Sequence, residues 1–270
     1  MKKIAFWVLS FLITLSFAVF QRMTGPTYPV KGGAVDGTGI SGYRLPRSCT
    51  TGGDDCRVRV NYKGPLQGRV EWRRYRTTDA VQVSPLEFKD GLLFFLLPSQ
   101  PPAGKLEYRV FVEHPSGERE LSPGPVVTRF KGPVPAWALT PHIIFIFLFM
   151  FFSVRIAFTA LVEQTPLKHA VVINLAFLLL GGFLFGPLVQ YYAFGQAWTG
   201  FPFGYDLTDN KTLLMLLAWL PALWSVLKDR PARRRVLLAF AVTAAVYLVP
   251  HSMFGSELDY ASNQVVTGGK

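Results

Sequence analysis

Apolar and polar positions follow two different rhythms along this chain. A basic head, MKK, precedes the apolar run IAFWVLSFLITLSFAVF, and beyond residue 133 four further apolar stretches occupy 139–161, 170–191, 213–227 and 236–249. Stretches with almost no polar positions predict helices that are apolar all round, as in a membrane or a deep core. The first two of the four reach the roughly 20 residues needed to cross a hydrocarbon layer. The other two are shorter, and their aromatic and small-residue flanks extend them. From residue 57 to about 130 the period is two. RVRVNY, GRVEWRRYR, LLFFLLP, KLEYRVFVE and VVTRF are divided by KGP, KDG, PPAG and PSGE. Short alternating segments between Gly and Pro turns predict a small antiparallel sandwich. Residues 21–56, rich in Gly, Pro and Thr, show little periodicity and read as an extended leader.

The expected fold is a membrane α-helical bundle, with four C-terminal spans plus an N-terminal signal anchor, carrying an inserted antiparallel β-sandwich. The segments are a signal anchor or signal peptide at 1–20, the leader at 21–56, a periplasmic β-sandwich at 57–132, and a four-helix transmembrane domain at 133–270 with an external C-terminal tail. SFA at 16–18 has the small-x-small form of a cleavage site. Phe20 and Arg22 follow it without a polar c-region, which favours an uncleaved anchor. LLFFLLPSQPPAGKLEYRVFVEHPSGE resembles one half of a fibronectin type III or immunoglobulin-like module, in which a strand ends in a proline turn and a Tyr-bearing strand follows. That resemblance implies a sandwich and no particular activity. LLLGGFLFGPLVQYYAFGQAWTGFPFGYDLTDNKT and VPHSMFGSELDY resemble stretches of bacterial polytopic membrane proteins of no assigned activity. This implies a bacterial inner-membrane protein and no catalytic roles.

Charge changes the picture by its placement. The net charge of +11 would fit nucleic acid or an anionic surface. The densest basic run, KDRPARRR at 228–235, lies between two apolar stretches, so it reads as a topology determinant that touches anionic lipid. No nucleic-acid partner is expected. The positive-inside rule places this loop, the loop near Lys168 and the N-terminus in the cytoplasm. The sandwich, the loop WTGFPFGYDLTDNKT at 198–212 and the C-terminus then face the periplasm, and an odd number of spans agrees. Cys49 and Cys56, enclosing TTGGDD in an exported segment, predict a small disulfide-closed loop, with two free thiols as the alternative.

With that topology His142, His251, Asp206, Asp209, Asn210, Lys211, Ser252, Glu257 and Asp259 all fall at the outer boundary. His142, His251, Asp206 and Asp209 form the candidate metal set, because neutral imidazole with carboxylate suits zinc, copper or iron. A proton-transfer or small-substrate site would use the same groups. The bland alternative is that Asp209 caps a helix starting near Asn210 while Trp198, Phe201, Phe203 and Tyr205 form an aromatic belt. Haem is disfavoured, because His142 and His251 both sit beside a proline at a helix end. Within the spans, Arg155 is expected to snorkel toward the cytoplasm or pair with Asn174. Gly181 and Gly182 permit close helix approach, and Gly186-Pro187 predicts a kink. The function expected is a non-enzymatic membrane subunit whose periplasmic domain docks a protein partner or a second copy. The alternatives are a membrane metalloprotein or enzyme and, behind it, a small transporter, for which broken helices are present but an inverted repeat is not.

Overall fold

Stretches without a polar stripe fold as helices, and stretches of period two fold as strands. The computed structural model describes residues 2–62, 67–114, 117–163, 166–251, 253 and 255–267; Ser252 and the segments 63–66 and 115–116, where the sequence reading set turns, lie outside the described residues. The chain forms two compact units. The helical unit comprises Met1–Pro26, Val134–Gly255 and Thr267–Lys270, and the strand-built unit comprises Thr27–Pro133 and Ser256–Val266.

In the helical unit, α1 (Lys2–Thr24) and α2 (Ala136–Phe158) lie antiparallel. Phe6 stacks on Phe158, Trp7 meets Phe151 and Phe11 meets Phe147, so α1 ascends as α2 descends. Ser10 and Thr14 of α1 are buried, and each hydroxyl bonds back to a carbonyl four residues earlier, so no polar atom is orphaned. A π turn at Thr159–Glu163 ends α2. The next apolar stretch contains α3 (Lys168–Leu178), a π segment (Leu179–Phe185) and α4 (Gly186–Phe194). It is followed by α5 (Leu207–Leu227) and α6 (Arg233–Leu248). Phe149, Leu178, Trp219 and Val236 are wholly buried at the centre. The Trp219 indole N–H donates to Thr243 Oγ1 at 2.9 Å, which makes its burial affordable.

The Gly186-Pro187 step widens the helix. Pro187 cannot supply a backbone N–H, and the segment before it winds so that the Gly186 N–H bonds Gly181 O, five residues back. Gly181 brings this segment against α2, where a Cβ would meet the Ile146 backbone N at 2.9 Å. Gly182 brings it against α5, where a Cβ would meet Thr212 Cγ2 at 2.6 Å.

Among the described residues four helical stretches are long and apolar enough to cross a membrane: Ile4–Thr24, Ala136–Val162, Lys168–Phe194 and Leu207–Leu227. The 16 residues of α6 extend about 24 Å, short of the roughly 30 Å hydrocarbon thickness. Only 11% to 44% of the most apolar window of each long stretch is buried within the protein. Ile4, Leu12, Ile143 and Leu217 all point outward.

The second unit has two main sheets. One orders β1 (Val30–Gly32), β2 (Ile40–Leu45), β4 (Arg57–Tyr62), β8 (Leu92–Leu96) and β7 (Glu87–Lys89), every pair antiparallel. The other orders β3 (Ser48–Thr50), β11 (Val126–Lys131), β9 (Lys105–His114), β5 (Gly68–Arg74) and β6 (Gln82–Pro85), with β10 (Gly117–Glu120) paired to β9. Only β3–β11 is parallel in this second sheet. Alternate residues of both sheets, Val58, Val60 and Leu93 with Val70, Leu106 and Val110, enter one core. Of the 21–56 stretch, residues 21–24 complete α1 and the remainder is more than a leader, since it supplies β1, β2 and β3. Cys49 and Cys56 are disulfide-bonded within this core.

The C-terminal tail also belongs to this unit. Its hairpin, β12 (Glu257–Asp259) with β13 (Gln264–Val266), donates the Leu258 N–H to Ala103 O at 3.0 Å. Tyr260 Oη accepts the Lys105 N–H at 3.0 Å and lies 3.1 Å from Gln100 Oε1.

Candidate functional site

The polar residues singled out in the sequence divide between the two units. His142, His251, Asp206 and Asp209 belong to the helical unit, Glu257 and Asp259 to the strand-built one. Within the helical unit several contacts gather at one end. Lys211 Nζ donates to Val249 O at 2.6 Å, Gln21 Nε2 donates to the same carbonyl at 2.8 Å, and Trp137 meets Tyr192 edge-on. The opposite end holds Lys168 and the 228–235 run: Lys168 lies 3.6 Å from Asp229, and Arg233 donates to Leu161 O.

Sharing an end does not bring these side chains onto a common point. The loop between α4 and α5 leaves backbone donors outside any ladder, and the nearest acids satisfy them. Asp206 is the N-cap of α5; its Oδ1 accepts from the N–H groups of Thr208 (2.8 Å) and Asp209 (3.3 Å). The cap therefore sits three residues before the Asp209 that the sequence put forward. Asp209, buried one turn into α5, reaches back across the loop and accepts the Thr199 N–H at 2.6 Å and its hydroxyl at 3.2 Å. Gln190 Nε2 of α4 donates to Thr199 Oγ1 at 2.6 Å, and Asn210 Oδ1 accepts the Phe201 N–H at 2.7 Å. Gly200 is required here, since a Cβ would stand 2.6 Å from Asp209 Cβ. The result is a stapled loop that carries Phe201, Phe203 and Tyr205 outward, Phe203 at 83% exposure.

His142 Nδ1 lies 2.9 Å from Gly181 O. A carbonyl only accepts, so His142 holds its proton on Nδ1. This contact joins α2 to the π segment, whose widened turn leaves that carbonyl within reach. His251 is exposed on the chain that follows α6. Glu257 pairs with Lys105 at 2.5 Å and Arg76 at 3.6 Å. Burial pushes the Lys105 ammonium below its ordinary value, and the Glu257 carboxylate opposes that shift. Asp259 accepts from the Ala261 N–H and the Ser262 hydroxyl in the hairpin turn. Among the described residues no three His, Cys, Asp or Glu side chains are placed to hold a metal ion. The zinc, copper or iron set of the sequence reading thus has no assembled site there.

Two pairings escaped the sequence. Asn174 bonds Ser153 rather than Arg155 (Nδ2 to Oγ, 3.1 Å). Arg155 instead lies over the Trp7 ring at 4.9 Å and donates to Thr159 Oγ1 at 2.6 Å, within a bundle where it is 8% exposed. The signal available was a Trp in the first apolar run at a depth matching Arg155, visible only once α1 counts as a permanent helix of the bundle. In comparisons with known proteins, no family model matches this chain and no curated protein matches it in sequence.

Proposed function

We propose that this chain is a non-enzymatic bacterial inner-membrane subunit. Its helical unit is embedded in the bilayer, and its two packed sheets form an immunoglobulin-like β-sandwich in the periplasm that docks a protein partner or a second copy. The observation that carries the reading is the polarity of the helical unit. Apolar faces are left uncovered along its length, Lys168 and the 228–235 run gather at one end, and aromatic side chains stand at both ends, Trp137 with Tyr192 at one and Trp224 at the other. Surfaces of that kind are covered by lipid, with the basic end toward the cytoplasm and aromatics at the interface. A disulfide in the unit that follows α1 fits the oxidising side. The retained packing of α1, through Trp7–Arg155 and Gln21–Val249, supports an uncleaved anchor.

Docking is supported by the rim of the strand-built unit. The two sheets end on the same side in consecutive strands, β6 and β7, joined through Leu86. Val81, Val83 and Phe88 are more than half exposed or close to it along that rim, at 50%, 60% and 52%. An edge strand with unpaired backbone groups and apolar side chains is a template for strand addition. The test is a photo-crosslinking amino acid placed at Val83 in the full chain, expressed in a bacterial host. The expected result is one adduct of defined mass in the carbonate-washed membrane fraction, twice the chain mass for a self-pair. A chain released by the wash defeats the membrane assignment. A chain retained in the membrane without any adduct defeats the docking role.

A further inference from the structure

We infer that the basic end of the helical unit carries a headgroup site for an anionic phospholipid. The inference rests on the membrane reading above and goes on to assign a ligand. A cleft of about 420 Å³ opens where the end of α2, the start of α3 and the α5–α6 loop meet. Its cationic lining is Lys168, Arg230 and Arg233; its apolar walls include Leu167 and Val226; Asp229 is the one acid among the described residues that line it.

The loop geometry explains why three cations converge. Asp229 adopts a left-handed backbone conformation (φ 50°), which turns the chain back beneath α5, and the Arg230 N–H closes that turn on Ser225 O at 2.9 Å. The Arg230 guanidinium lies over the Trp224 ring, 4.6 Å from its centroid. Arg235 lies over the same ring at 5.0 Å and donates to Ser225 Oγ. The Trp224 indole thus holds two guanidinium planes at the edge of the apolar surface. Arg233 spends one donor on Leu161 O at 3.3 Å, and a guanidinium has five. Lys168 pairs with Asp229 at 3.6 Å, and the Asp229 side chain is 83% exposed. An ion pair that wet is weak and yields to a stronger anion.

A phosphodiester fits this set. Two guanidinium forks and an ammonium meet its oxygens. Next to the lining, Leu161, Val162 and Leu227 are about half exposed, at 48%, 56% and 50%, and they give the cleft apolar outer walls where the acyl chains of the same molecule would lie. An inorganic phosphate would use the cations and leave those walls bare, so the lipid is the occupant the cleft favours. The loop is more than a topology signal, because Lys228 and Arg234 have the same charge and do not line the cleft.

The test uses the full chain in detergent, titrated with phosphatidylglycerol, phosphatidylcholine or inorganic phosphate and read by native mass spectrometry. One saturable phosphatidylglycerol adduct is expected, with phosphatidylcholine at least about tenfold weaker. Lys168→Gln with Arg230→Gln and Arg233→Gln should weaken phosphatidylglycerol by at least about tenfold. Lys228→Gln with Arg234→Gln should leave it essentially unchanged. Equal loss in the two sets would overturn the cleft in favour of a diffuse basic loop. Displacement of the lipid by equimolar inorganic phosphate would overturn the lipid in favour of a free anion. Should the triple variant not fold, Arg230→Lys with Arg233→Lys keeps every charge while removing both forks, and weaker binding is again expected; undiminished binding would sink the proposal. Failure of the membrane reading would show separately, as release of the chain by carbonate wash.

Discussion

Gly182 offers a quantitative test of how the helical unit is packed. Gly182→Ala would place a Cβ 2.6 Å from Thr212 Cγ2, whereas the next atoms, Leu178 Cδ1 at 3.5 Å and Ile146 Cδ1 at 3.8 Å, are at ordinary contact distance. The conflict is therefore with one methyl group. Thr212 can escape only by rotating, and rotation breaks the bond from its Oγ1 to Thr208 O at 3.1 Å. Overpacking of this kind costs about 1–3 kcal/mol. Alanine recovers up to about 1 kcal/mol of helix propensity. A net loss of about 1 kcal/mol is expected. Thr212→Ser removes the methyl and keeps the hydroxyl, so the double variant should regain most of that loss, giving a coupling of about 1 kcal/mol. Gly181→Ala has no such remedy. Its Cβ meets the Ile146 backbone N at 2.9 Å and Phe145 Cβ at 3.0 Å, and α2 itself must move. Its loss should be larger, about 2–3 kcal/mol. Unfolding in mixed micelles by increasing dodecyl sulfate, followed by tryptophan fluorescence, measures all four variants. Additive effects of Gly182→Ala and Thr212→Ser, or a Gly181→Ala variant as stable as the parent, would refute this account of the packing.

Three other perturbations separate the roles assigned to polar groups. Asp209→Ala strands the buried Thr199 N–H at a cost of about 1–3 kcal/mol, seen as faster hydrogen exchange across 198–204, while Asp206→Ala should cost about 1 kcal/mol as a lost helix cap. Cys49→Ser with Cys56→Ser opens a loop with sequence separation 7 and should lower the stability of the strand-built unit by about 2–3 kcal/mol, read from its denaturant midpoint. Burial raises the Tyr260 phenol above its ordinary value of 10.0, so above that pH the folded chain keeps a proton that the unfolded chain has lost. Stability of the strand-built unit should hold below pH 10 and fall above it, and Tyr260→Phe should flatten that fall.

Local periodicity carried most of the fold because each rhythm has one physical cause. Continuous apolar runs cannot leave a helix with a wet face, and alternating runs cannot leave a strand with two dry ones. Elements whose partners are remote in sequence were harder to see. β1 and β3 are three residues each, set among Gly and Pro, and become strands only because β2 and β11 offer ladders to them. The hairpin at 257–266 is equally short. It is anchored by the Lys105–Glu257 pair, whose partners stand 152 residues apart, so no window along the chain contains the reason for its docking. The start of α6 was harder to bound, because the helix begins with three arginines ahead of the apolar stretch that marks it in the sequence.

The polar cluster separates two questions that composition merges: which residues lie at one depth, and which meet at one point. Depth follows from charge bookkeeping along the chain, and Lys211, Gln21 and Val249 do meet at the end opposite Lys168. Convergence depends on what else needs a hydrogen bond nearby. An irregular loop between two apolar helices strips the Thr199, Phe201, Thr208 and Asp209 amides of backbone partners; each such amide left dry is costly, and two carboxylates brought together repel. Asp206, Asp209 and Asn210 are taken up by those amides, and His142 by a carbonyl exposed through the wide turn before Pro187. The same accounting identifies where chemistry remains available. At the opposite end the cations outnumber the acids among the described residues, a guanidinium offers more donors than its neighbours can accept, and the surplus faces a cleft bordered by apolar wall. Unspent hydrogen-bonding capacity, more than the presence of reactive residue types, is what distinguishes a site that can take a ligand from a cluster that holds a loop.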